Sequence, residues 1–68
     1  VSEGQRHVTE LAQEVVTNAM IRTMPRHRVQ LMRELIVHAA AALELLEGAE
    51  NAAEHVYRIA DVIVAKGG

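Results

Sequence analysis

The feature that most constrains this chain is the segment between Pro25 and Gly48, where apolar residues fall on two adjoining stripes of one helix. Val29, Met32, Ile36, Ala39, Leu43 and Leu46 recur at alternating steps of three and four, and Leu31, Leu35, His38, Ala42 and Leu45 form a second row beside them. At about 100° per residue, the two rows together span roughly 200° of the helix surface, twice the minimum width of a stripe that faces one core. One neighbouring helix cannot cover that arc.

Punctuation around this segment predicts three helices. Ser2 and Gln5 have the spacing of a capping box, and Pro25 ends the first helical pattern by forcing Met24 out of the α region, so a helix is expected over about 3–22. Its apolar positions Val8, Leu11, Val15, Val16 and Met20 share a face. Pro25 suits the first helical position, where its missing N–H costs nothing, and Gly48 suits the end, giving a second helix over about 25–47. Asn51 with Glu54 three residues on reads as an N-cap pair, which starts a third helix over about 51–66 before Gly67 and Gly68. Its apolar face holds Ala52, Val56, Ile59 and Ile63.

The expected fold is therefore all-α, a small three-helix bundle occupying residues 1–68 as a single domain. A competing reading follows from the same stripes, because they run on in register through Gly48. An isolated glycine costs only about 1 kcal/mol in a helix, so one long helix from Pro25 to Lys66, paired with the first as a two-helix hairpin, also satisfies the pattern. Both architectures leave apolar surface bare, so the chain is expected to assemble as an oligomeric, coiled-coil-like helix bundle, with a homodimer preferred.

Composition points the same way. At 68 residues the chain is close to the lower size for independent folding, and with Tyr57 as its sole aromatic its core must be built from Leu, Val, Ile, Met and Ala. Without cysteine it has no thiolate zinc site and no disulfide, and the cytoplasm is the expected compartment. The longest nearly apolar run, Leu35 to Leu43, is too short to span a bilayer, so no membrane partner is expected. Val1 stands first and no basic region leads into an apolar run with a cleavage site, so the expectation is a chain trimmed of its initiator and without a signal peptide.

Two groups of residues stand out as candidate sites. The first is a cationic turn: Arg22, Arg26, His27, Arg28 and Arg33 lie in a stretch from Met20 to Arg33 that contains no acidic residue, within a chain of formal net charge −2. Arg26 and Arg28 fall in the first turn of a helix, where unpaired N–H groups attract anions. An acidic protein surface or a nucleic-acid phosphate would fit there. Nucleic acid is the weaker expectation, because the net charge is negative, Lys66 is the only lysine and aromatic side chains for base stacking are lacking. The second is the row Leu31, Leu35, His38, Ala42 and Leu45, the candidate oligomer interface, where Leu35→Glu or Leu45→Glu is expected to dissociate the assembly. A neutral His38 ring inside that interface would gain charge at a pH of about 5 to 6 and loosen it.

Catalysis, metals and cofactors are not expected. Ser2 is the only serine and reads as a cap, no glycine-rich phosphate loop is present, and neither HExxH nor Glu-x-x-His occurs among His7, His27, His38 and His55. The resulting expectation is a small helical protein-interaction or assembly protein acting as a homo-oligomer, with a nucleic-acid-binding regulator using the basic turn as the alternative.

Overall fold

Three α-helices joined by two tight breaks make up the architecture in a computed structural model that describes residues 2–67. The helices are α1, Glu3–Arg22; α2, Arg28–Glu47; and α3, Ala49–Gly67, with a single 3₁₀ turn, Pro25–His27, leading into α2. Val1 and Gly68, and with them the expectations placed on the ends of the chain, lie outside the described residues.

Helix α1 starts where the cap chemistry requires. Ser2 takes extended dihedrals and its Oγ accepts from the Gln5 N–H at 3.1 Å, satisfying one of the free donors of the first turn. At the other end Thr23 leaves the helix with ψ 137°, and its hydroxyl donates to the Ala19 carbonyl at 2.7 Å. Met24 follows with ψ 142°, the extended conformation demanded by Pro25.

The second break takes one residue. The Gly48 N–H donates to Glu44 at 2.9 Å, closing α2, while its carbonyl accepts from Ala52 at 3.1 Å, opening α3. Gly48 has φ 90°, a backbone angle that costs a side-chain-bearing residue about 1–2 kcal/mol and glycine nothing. The long continuous helix is therefore not formed. The start expected at Asn51 is corrected to Ala49, because Gly48 serves both helix ends and no spacer remains for Asn51 to cap. Asn51 lies instead inside the first turn of α3, where its Nδ2 donates to the Glu47 carbonyl at 3.3 Å, one of the carbonyls α2 leaves unpaired.

The chain divides into two units, Val1–Glu34 and Leu35–Gly68. In the first, burial increases along α1 toward the turn: Val8 is 64% exposed and Met20 38%, while Ala19, Thr23, Arg28, Leu31 and Met32 are half-buried. In the second, Ile36, Ala40, Ala41 and Glu44 of α2 line one depression with Ala49, Ala52 and Ala53 of α3, and Ile36, Ala39, Ala40 and Leu43 line another with Val56, Ile59 and Ile63. Here α2 and α3 are thus antiparallel, and the alanines nearest the turn permit the closest approach. Ala52, 5% exposed, is the only buried residue among those described.

Candidate functional site

The cationic turn belongs wholly to the first unit, and part of its charge is engaged there. Arg28 is half-buried and its Nε donates to the Met20 carbonyl at 2.9 Å, so this guanidinium satisfies the negative end of the α1 dipole. Arg26 extends beside the 3₁₀ turn, where its Nε donates to His27 Nε2 at 3.3 Å. Arg22 and Arg33 are exposed and, among the described residues, form no side-chain hydrogen bond or ion pair.

The five cationic positions thus differ in availability. Arg22 and Arg33 are solvated, Arg26 and His27 bond to each other, and Arg28 serves the fold. His27 also lines a shallow cleft of about 320 Å³ with Thr23, Gln30, Leu31 and Glu34. Gln30 and Glu34 were not among the sequence-level candidates, although their positions three and seven residues beyond His27 place them on its side of the helix. Leu31, from the apolar row, shares this cleft with His27 of the cationic turn.

The apolar row on α2 is unevenly covered. Leu31 and Leu35 are half-buried within a single chain, His38 and Ala42 are exposed, and Leu45 is 90% exposed. Leu46, on the adjoining row, is 84% exposed. These adjacent leucines, just before the Gly48 break, are the barest large apolar side chains of the chain's described part.

A second apolar feature involves both helices of the Leu35–Gly68 unit. Ile36, Ala39, Ala40 and Leu43 from α2 and Val56, Ile59, Ala60 and Ile63 from α3 line an open groove of about 350 Å³, in which His55 is the only polar lining residue. Three of its large side chains are well exposed, Ile36 at 62%, Ile59 at 51% and Ile63 at 64%, while Leu43 is half-buried. Sequence periodicity identified both faces but could not pair them, since the pairing depends on the direction in which Gly48 turns the chain.

The opposite side of His55 is polar. Glu47, Asn51, Glu54 and Arg58 join it around a cleft of about 200 Å³, where Arg58 Nη2 meets Glu54 Oε1 at 2.7 Å. Both partners are well exposed, so this i,i+4 pair contributes only a few tenths of a kcal/mol, roughly 0.3–0.5. No group of three or more His, Asp or Glu side chains is arranged to hold a metal ion among the described residues. Nor is any helix there long and apolar enough to cross a membrane.

Comparison with known proteins found no matching family model, no similar curated protein and no similar solved structure. The functional reading rests on this chain's own residues.

Proposed function

We propose that this protein is a small helical interaction or assembly protein that acts through self-association, with a homodimer as its basic form. The observation that carries this reading is the apolar surface a single copy leaves bare. Large hydrophobic side chains are exposed along all three helices, from Val8 and Leu11 on α1 to Leu45 and Leu46 on α2 and Ile59 and Ile63 on α3. Scattered exposed apolar residues are ordinary on a protein surface, but contiguous patches mark places where another chain binds.

On this reading the protein works by binding rather than catalysis, and the cytoplasm suits a chain with no cysteine to oxidise. Phosphate binding at the cationic turn is less favoured, because Arg28 and Arg26 already have partners within their own unit. Sedimentation equilibrium at micromolar concentration tests the proposal. The expected result is a dimer in reversible exchange with monomer, and a helical species that stays monomeric throughout would refute it.

A further inference from the structure

Gly48 is the whole of the connection between α2 and α3, and the helices it separates carry apolar rows in one helical register. We infer that self-association proceeds by exchange at this residue: α2 and α3 straighten into one helix, and α3 of each copy docks on α2 of a second copy instead of its own. This rests on the self-association reading and says which surfaces meet. The occupant of α2 is the helix that α2 already packs against within its own chain.

Short hinges invite exchange between copies, because the whole reversal must be made within them, and here one residue makes it. Opening this hinge gives up little of the backbone bonding. The Gly48 N–H to Glu44 bond of 2.9 Å and the Ala52 N–H to Gly48 bond of 3.1 Å each span four residues, as in a continuous helix, so both survive straightening. A continuous helix adds three more, from the N–H groups of Ala49, Glu50 and Asn51 to the carbonyls of Leu45, Leu46 and Glu47. In the hairpin these are not made, and the Glu47 carbonyl takes the Asn51 side chain instead at 3.3 Å.

The packing contacts are kept as well. Two straight helices lying antiparallel, with a two-fold axis at Gly48, reproduce the α2 to α3 contacts twice, including the burial of Ala52 against Ala40 and Ala41. Exchange also covers a side chain that the hairpin leaves bare. Leu46 lies on the row of Ile36 and Leu43 but is 84% exposed, since the chain reverses two residues later. In the exchanged pair both helices run on past that point, so Leu46 faces the second copy.

Gly48→Ala distinguishes exchange from a dimer of closed hairpins by the sign of its effect. The substitution penalises the φ of 90° that the hairpin requires and the straight helix does not. Exchange therefore predicts a dimer dissociation constant about tenfold lower or more, measured by sedimentation equilibrium. A constant that is unchanged or raised would overturn it.

The second measurement is a distance within one copy. The native chain has no cysteine, so His38→Cys with Asp61→Cys carries a single pair of spin labels, at exposed positions that line neither the groove nor the depression between the helices. Labelled chain is diluted into an excess of unlabelled native chain, so that only pairs within a copy are read. In the hairpin the two sites lie on neighbouring helices whose axes are about 8–10 Å apart, and in a straight helix they are separated by roughly 35 Å. The expected result is the short separation below the concentration of dimer formation and the long one above it. A dimer that keeps the short separation would overturn exchange while leaving self-association standing. A long separation that persists in dilute monomer would overturn it too, because opening would not be coupled to a second copy. A native chain monomeric at every concentration would remove exchange and the self-association reading together.

Discussion

Arg28 and Met20 are joined by a hydrogen bond of 2.9 Å from the guanidinium Nε to the backbone carbonyl, eight residues back across the turn between α1 and α2. A cation at this point completes the C-terminus of α1 and ties the following helix to it. Removing it leaves that carbonyl only the 3.3 Å bond from the Thr23 N–H and takes away the tie from the following helix. Arg28→Ala is expected to lower stability by about 1 kcal/mol, the value of a half-exposed charged hydrogen bond near a helix end. Arg22→Ala and Arg33→Ala, which remove only solvated charges, are expected to change it by less than about 0.5 kcal/mol. Urea denaturation at one fixed protein concentration measures all three, and equal losses would contradict the capping role.

Gly48 carries the second break, and its φ of 90° makes it the most substitution-sensitive backbone position described. Space is not the obstacle, since an added Cβ would meet nothing within 4 Å. The penalty is conformational, so Gly48→Ala is expected to cost about 1–2 kcal/mol. Because the apolar rows run through this position in helical register, the same substitution should also favour a straight α2–α3 helix. Spin labels placed near residues 36 and 63 would report this as a longer mean separation.

Ala52 sits at the close approach of α3 to Ala40 and Ala41 of α2 and is the one buried residue among those described. Alanines make up most of the depression it lines, together with Ile36, Val37 and Glu44. Ala52→Leu would force the helices apart, at an expected cost of about 1–3 kcal/mol, typical of overpacking. Ala65→Leu, at an exposed position of the same helix, is the control and should be nearly neutral. Thermal melts of the two variants test the difference.

Legibility in the sequence followed the range of the interactions involved. Ser2 and Gly48 act within a few residues and marked helix boundaries from local chemistry alone, whereas Pro25 ended the first helix but opened a 3₁₀ turn, so the second helix starts at Arg28 and not at Pro25 as expected. Asn51 and Glu54 misled for the same reason: their spacing is that of a cap, but the positive φ at Gly48 started α3 before that spacing could be used. The Arg28 to Met20 bond could not be read, because eight residues and a turn geometry lie between them. Coverage was equally hidden. Leu31 and Leu45 occupy one apolar row with the same periodicity, yet one is half-buried and the other 90% exposed. Period identifies which residues share a face; only the path of the chain decides how far along that face a neighbour reaches.

Salt separates the apolar account of association from a charge-driven one. At about 1 M ionic strength the Debye length falls to about 3 Å, which suppresses attraction between exposed charges such as Arg22 and Arg33 and an acidic partner surface. Burial of exposed apolar side chains against a second copy has no such dependence, and well-excluded salts strengthen it. The dimer dissociation constant is therefore expected to stay within a few-fold between low and high sodium chloride and to fall in sodium sulfate. Sedimentation equilibrium in the two salts provides the measurement. A dissociation constant that rises steeply with sodium chloride would instead place the interface at exposed charges such as Arg22 and Arg33 of the cationic turn.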